Sequence, residues 1–486
     1  MPHAETAASP GRLRRTKVLA TLGPSSRESA IVEAMAREGA DGFRINTAHI
    51  EPSDVGRLVE QVRGVEAAVA RPLSVLCDLA GPKLRVARDQ TRLELVAAGK
   101  VTIGAVGSGA AVTLAGLDPA RECPPGSLVL LHDGRVALRV QGVAGAVVGC
   151  VVERGGEVAA GMGVNLPEVE TSLPSLTPHD LECLDAAVAA EADSFALSFV
   201  RRAADVEDLR TRLREAGSRA PIVAKLEKAR AVTPDELRAI LAVADAVIVA
   251  RGDLGAETAP DRVPVLQKEI LRAARAVGVP AVVATEMLES MVEETRPTRA
   301  EAADVANAVY DGADALLLTA ETAIGHHPVL AVGTAGNLIA TAEAHPEFRT
   351  AWFGGDGAFV PPDATADAVA KAAVTASEEV KAAVIVCFTT TGRTARLVAR
   401  HRPDRPVLAL TPDLSVARAL TVVWGVCPRV SAEHPLDHEG VVLLAEREAI
   451  AGGFAGAGDA IIVTHGAPGG IGAPTNLLRV HRLAGG

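Results

Sequence analysis

Aromatic residues are scarce: 8 Phe, 2 Trp and 1 Tyr in 486 residues, or 2% of the chain. With hydrophobic content at 48%, the cores must be built from Ala, Val, Leu and Ile. The stacking platforms that bind single-stranded nucleic acid need surface aromatics and are not expected. A global excess of positive charge is also lacking. Lys and Arg number 49 against 60 Asp and Glu, for a formal net charge of −11, so nothing drives sequence-independent binding to a nucleic-acid backbone. Any anionic ligand must be met by a local cluster of positive charge. The six cysteines form no C-x-x-C pair and no His cluster has zinc-ligand spacing, which argues against a disulfide framework or structural zinc and fits the cytosol. No apolar run reaches the ~20 residues of a membrane helix, so no membrane role is expected. The opening stretch MPHAETAASPGRLRR lacks the apolar core of a secretory signal and reads as a disordered leader over 1–15.

What the chain does have is length for about three domains at roughly 150 residues each, and a recurring pattern. Short apolar runs of the buried parallel-strand type alternate with turns and amphipathic stretches. The runs are KVLATLGP (17–24), DGFRINT (41–47), PLSVLCDLAGP (72–82), DSFALSFVR (193–201), PIVAKLE (221–227), DAVIVARGD (245–253), PAVVATEM (280–287) and DALLLTAET (314–322). Polar residues near their ends recur every 25 to 34 positions except across the third gap, Asp78 to Ser198. Eight such units predict a (β/α)8 TIM barrel over 16–86 and 165–350. The long gap is an insertion, and its Val-rich, period-two runs between Gly turns predict a small β-barrel domain over 87–164, placed as a lid on the barrel mouth. After a Gly- and Pro-rich boundary, AWFGGDGAFVPPDA, strands and helices alternate again over 351–486, predicting an open C-terminal α/β domain.

Functional groups of a (β/α)8 barrel gather at the C-terminal ends of the strands. Here those ends carry Arg44, Asn46, Asp78, Lys225, Glu227, Arg251, Asp253, Thr285, Thr319 and Glu321. One charge at a strand end is ordinarily a solvated loop residue; ten on one face of one barrel are a site. Lys225 and Glu227 lie two apart on a strand and point the same way, which admits either a structural ion pair or a functional one. Asp253 follows the next strand in a Gly-containing turn whose amides can face an anion. Carboxylates from neighbouring strand ends suit magnesium, a hard ion that takes one or two protein carboxylates and leaves its other positions to water and substrate oxygens. Lys225, Arg44 and Arg85 offer the positive charge that phosphoryl transfer requires.

The segments TLGPSS, FRINTAH, DLAGPKLR, GVNLP, AKLE, ARGDLG, ATEMLESM, RPTRAEAADVANAVYDGAD and LLTAETAIGHHP resemble, in order and spacing, the pyruvate kinase family. The resemblance covers nearly everything after residue 15. It implies transfer of the phosphoryl group of phosphoenolpyruvate to ADP, giving pyruvate and ATP, with Mg2+ as cofactor. By the same resemblance Lys225 is the catalytic lysine and Glu227 and Asp253 are the magnesium ligands. Arg44 binds the phosphate of phosphoenolpyruvate, and Gly252, Asp253 and Thr285 form its carboxylate site. Asn46, His49 and Arg85 lie near the nucleotide phosphates, with a structural role equally open for His49. Thr319, where the family usually has serine, relays a proton to the enolate. A homo-oligomer, commonly a tetramer in the family, is implied by analogy.

Departures from the family pattern carry their own expectation. Its monovalent-cation site uses Asn, Ser, Asp and Thr; this chain keeps Asn46 and Asp78 but has Ala48 and Leu79 in the other two places. Lys83 stands where Glu is common, which resembles the potassium-independent variants, and its ammonium is expected to take roughly the place of the cation and hold the same Asp. Potassium is therefore expected not to be required. Glu286 and Met162 are further departures that bear on the rate. In the C-terminal domain the loop of Thr389, Thr390, Thr391, Gly392, Arg393 and Thr394 opens a helix and resembles the family's effector-phosphate loop, with ordinary helix capping as its plain alternative. The Gly-rich stretch THGAPGGIGAPTN (464–476) is placed to close over such a ligand. Two other functions remain open: a magnesium-dependent lyase or aldolase acting on a pyruvate enolate, which ADP-dependence separates, and a catalytically weak metabolite sensor, against which Lys225, Glu227 and Asp253 argue.

Overall fold

The computed structural model describes residues 14–167, 169–348, 364–433, 437–466 and 475–484. Eight parallel strands close into a barrel: Lys17–Leu22, Gly42–Asn46, Ser74–Leu79, Ser194–Leu197, Ile222–Leu226, Ala246–Ala250, Ala281–Ala284 and Ala315–Leu318. The first pairs with both the second and the eighth, which closes the sheet. Alternation along each strand sends one set of side chains inward, where Leu19, Leu76, Ala196, Val223, Ile248, Val282 and Leu317 fill the axis. The other set meets the surrounding helices in the largest core of the molecule. Gly42 is required by this packing, since a Cβ there would lie 2.7 Å from the carbonyl oxygen of Ser74.

The floor of the barrel carries a fourfold device. The second, fourth, sixth and eighth strands are each entered through an Ala-Asp pair, at Asp41, Asp193, Asp245 and Asp314. Each carboxylate accepts the backbone N–H at the start of the odd-numbered strand before it: Val18 at 2.8 Å, Val75 at 2.6 Å, Ile222 at 2.9 Å and Ala281 at 2.9 Å. Each also meets arginine: Arg14, Arg63 with the more distant Arg418, Arg210, and Arg402 respectively. Arg418 and Arg402 come from the C-terminal domain, so two of the four carboxylates fasten that domain to the barrel.

Between the third and fourth barrel strands the chain forms a seven-stranded mixed sheet and a two-stranded ladder. One short helix, Pro119–Glu122, interrupts the strands, and the sheet has its own apolar core. The C-terminal domain is a five-stranded sheet with apolar clusters on both faces. Its fifth strand, Leu477–Arg482, runs antiparallel to Ala460–His465 at the edge and was not among the expected elements. All six cysteines are free and five are buried. Among the described residues no helix is long and apolar enough to cross a membrane. The expected leader falls outside the described residues except at its end, where expectation needs correcting. Arg14 is held by Asp41 and the Gly39 carbonyl, and the amide of Arg15 donates to Glu343 at 2.9 Å. The Gly- and Pro-rich boundary lies almost wholly outside the described residues.

Candidate active site

The inward columns that fill the barrel continue two residues past its apolar layers and there become polar. Leu19 leads to Thr21, Leu76 to Asp78, Ala196 to Ser198, Val223 to Lys225, and Leu317 to Thr319. The strand period thus converts a hydrophobic core into a polar mouth, with Thr21, Asp78 and Lys225 still on their strands and Ser198 and Thr319 just past the ends of theirs.

Asp78 stands at the centre of that mouth and is buried. Its Oδ2 takes the Nε of Arg44 at 2.6 Å and lies 3.3 Å from the Nζ of Lys225; its Oδ1 accepts from the Ser198 hydroxyl at 3.3 Å. Lys225 donates to Ser198 Oγ at 2.8 Å and pairs with Glu227 Oε1 at 3.0 Å. The backbone N–H of Phe199 donates to the other oxygen of Glu227 at 2.6 Å. Burial alone would raise the Asp78 carboxyl, but the Lys225 ammonium and Arg44 guanidinium prevail and hold it below its ordinary range. Burial would likewise lower Lys225; Asp78 and Glu227 overcome it and keep the lysine firmly charged. Glu227 is pushed upward, first by burial and, against the pull of Lys225, by the neighbouring Asp253. Two carboxylates that repel across a polar mouth form a hard-oxygen donor pair. Among the described residues no three His, Cys, Asp or Glu side chains gather to hold a metal by themselves. A pair of this kind fits magnesium, which binds through few protein carboxylates and completes its shell from substrate and water.

Around this centre lies a second ring of contacts. Asp253 sits in the first turn of the helix Arg251–Glu257, and its Oδ1 pairs with Lys83 at 2.9 Å. The Lys83 ammonium also stands 5.8 Å from the centre of the Phe199 ring. Here the structure corrects the expectation that Lys83 holds Asp78: that carboxylate is already engaged by Arg44, Lys225 and Ser198, and the lysine turns to Asp253. Thr285 accepts the Gly252 N–H at 2.9 Å through its hydroxyl oxygen, while its carbonyl receives the Arg251 guanidinium. Thr285 and Glu286 are consecutive non-glycine residues at positive φ, 72° and 53°, a strained corner of the sort that collects at functional sites. The Thr319 N–H donates to the buried Glu321 at 2.6 Å, and its hydroxyl lies 3.3 Å from the same oxygen.

Some expected residues stand apart. Asn46 accepts from the Ala48 N–H at 3.2 Å and so caps the turn Thr47–His49, on which His49 is exposed. Arg85, also exposed, donates to the Gly161 carbonyl at 2.9 Å, within the inserted domain. Leu79 is buried in the layer between barrel and helices and offers no side-chain oxygen. In the C-terminal domain Thr389 and Thr394 are buried, and Thr390 and Thr391 lead to Gly392, which caps the helix Arg393–Arg400 at φ 78°. The hydroxyls of Thr394 and Thr475 are hydrogen-bonded, so the two loops meet; most of the Gly-rich stretch lies outside the described residues.

Residues without a charge signal escaped sequence reasoning. Ser198 marked only a strand end, yet it joins Asp78 to Lys225. Phe199 combines a positive φ of 54° with an amide on Glu227. An aromatic so placed in a chain this poor in aromatics was the available clue.

Two family descriptions match the chain: "Pyruvate kinase, barrel domain" over residues 13–332 and "Pyruvate kinase, alpha/beta domain" over 367–481. A pyruvate kinase of Mycobacterium tuberculosis is 38% identical over 483 residues, covering 97% of this chain and 98% of that one. A pyruvate kinase of Clostridium acetobutylicum is 35% identical over 474 residues, covering 96% and 99%. Among solved structures, a pyruvate kinase from Cryptosporidium parvum superposes with a TM-score of 0.89 at 30% identity, covering 96% of each chain.

Proposed function

The chain belongs to the pyruvate kinase family, and from that premise we propose that it transfers the phosphoryl group of phosphoenolpyruvate to ADP, yielding pyruvate and ATP. The observation that carries this reading is the Lys225 ammonium, largely enclosed and charged among Asp78, Glu227 and Ser198, with Arg44 beside it. Two fixed cations at the mouth of an acidic protein suit a phosphoryl group in transit. A terminal oxygen of ADP attacks phosphorus as the bond to the enol oxygen breaks, and Lys225 and Arg44 meet the charge on the phosphoryl oxygens. Gly252, Asp253 and Thr285 border the place of the substrate carboxylate, and Asn46, His49 and Arg85 that of the nucleotide phosphates. Thr319, hydrogen-bonded toward the buried Glu321, delivers a proton to the methylene carbon of the enolate, completing pyruvate. Glu227 and Asp253 would hold magnesium, which when bound supplies further positive charge to the phosphoryl oxygens.

Potassium is not required in this reading. Ala48 and Leu79 provide no side-chain oxygen, and a lysine ammonium, Lys83, stands on Asp253 at 2.9 Å. The effector loop at 389–394 binds a phosphate-bearing regulator, the enzyme is a cytoplasmic homo-oligomer, and the insert over 87–164 serves as the lid. The test is pyruvate formation from phosphoenolpyruvate and magnesium, with ADP present or omitted and with potassium or an inert cation at constant ionic strength. Strict ADP-dependence and equal rates with either salt are expected. Pyruvate release without ADP would be hydrolysis of phosphoenolpyruvate and would contradict the kinase reading, and a many-fold rise with potassium would overturn the reading of Lys83.

A further inference from the structure

Glu257 ends the helix that begins with Arg251 and carries Asp253, one turn after that residue. It is 5% exposed, and among the described residues its side-chain hydrogen bonds fall on one oxygen. Oε1 receives the Lys228 ammonium at 2.6 Å and the Asn165 side-chain amide at 2.9 Å, while Oε2 is buried with no hydrogen-bond partner among the described residues. The three residues come from three different elements. Lys228 follows Glu227 directly. Asn165 lies on the strand Val164–Asn165, where the inserted sheet returns toward the barrel. Lys228 also stands 5.9 Å from the centre of the Phe199 ring, whose backbone amide holds Glu227.

One buried carboxylate oxygen therefore joins the strand end bearing Glu227, the helix bearing Asp253 and the return of the insert. An orphaned carboxylate oxygen in the interior costs stability, so a purely structural role is a poor explanation for keeping an acid here. We propose that Glu257 is a positioning residue: through Lys228 and Asn165 it sets the spacing of the Glu227 and Asp253 carboxylates and aligns the insert with them. This rests on the reading of those two carboxylates as a metal pair. Glu257 touches no reacting atom; it acts through the residues it holds.

The test uses the full chain and manganese as the probe ion, titrated without substrates and followed by the electron paramagnetic resonance of free Mn2+. Glu257→Gln and Lys228→Met should each weaken Mn2+ binding about 10-fold, the lower end of what a support behind a metal ligand contributes. The double variant should be no weaker than either single one, because the pair acts as a unit, and Lys228→Arg should retain most of the affinity. In steady state the magnesium activation constant should rise more than kcat falls. The melting temperature of the double variant, which leaves no lone buried charge, should stay near that of the wild type. Unchanged Mn2+ affinity in the single variants, or additive losses in the double variant, would overturn the proposal. Asp253→Asn is the control that separates the two ideas. If it too leaves Mn2+ binding unchanged, the metal reading fails and the positioning role falls with it; if it abolishes binding while Glu257→Gln does not, the positioning role alone fails.

Discussion

At the scale of single residues, the site depends on Lys225 being both largely enclosed and charged. Those conditions oppose each other, and Asp78 and Glu227 resolve them. Ser198 is the neutral member of this group, receiving Lys225 and donating to Asp78. Ser198→Ala removes one acceptor from the ammonium while leaving both carboxylate partners, so kcat should fall about 10-fold, in line with one hydrogen bond to a charged group. The melting temperature should shift by no more than a few degrees; steady-state kinetics and calorimetry check both. Much of this site was legible in the sequence, because Lys225, Glu227, Asp78 and Arg44 are charged residues at a fixed period on strand ends. Ser198, Asn165 and Glu257 were not, since an uncharged hydroxyl in an apolar run and a contact across 92 positions leave no local mark. Lys83 was recognised as a cation at the mouth, but its partner depends on how crowded Asp78 already is.

At the scale of elements, the two ends of the barrel strands divide the labour. The upper ends hold the chemistry and the lower ends hold the register, through Asp41, Asp193, Asp245 and Asp314. The Ala-Asp pairs that open the even-numbered strands stand in the sequence, but the amide each carboxylate accepts lies on a distant strand and leaves no local mark. The four sites differ in depth, which orders their contributions. Asp314 and Arg402 expose only 9% and 4% of their side chains, whereas Asp245 and Arg210 expose 32% and 25%. Asp314→Asn leaves a guanidinium charge in the interior and should cost about 3 kcal/mol; Asp245→Asn should cost under about 1 kcal/mol. Denaturant titration of the two variants measures the difference, and equal losses would refute the ordering. The edge strand Leu477–Arg482 escaped because LLRVHR alternates weakly and only one side of it is paired.

At the scale of the whole molecule, a net charge of −11 is combined with a mouth that concentrates cations. Anionic substrates are repelled by the general surface and received where Arg44, Lys83 and Lys225 stand, so association should weaken less with salt than at a broadly basic surface. The insert has its own apolar core, whereas the C-terminal domain, beside its own clusters, buries Trp424 in the barrel's core and packs Val422 against the barrel axis. Polar joints also connect them: Glu257 with Asn165 above, and Arg402 and Arg418 below, where Trp424 adds an apolar contact. The eightfold repeat and its interruption were legible because they are long and periodic. The joints were not, because each depends on two distant segments meeting.

The most direct measurement is the turnover number for pyruvate formation from phosphoenolpyruvate, ADP and magnesium in the wild type and in Lys225→Met. Loss of the cation that meets the phosphoryl oxygens should reduce kcat by about 10²- to 10³-fold, as for removal of a preorganised charge-stabilising donor. Equal turnover in the two proteins would contradict the role assigned to Lys225 and the mechanism built on it.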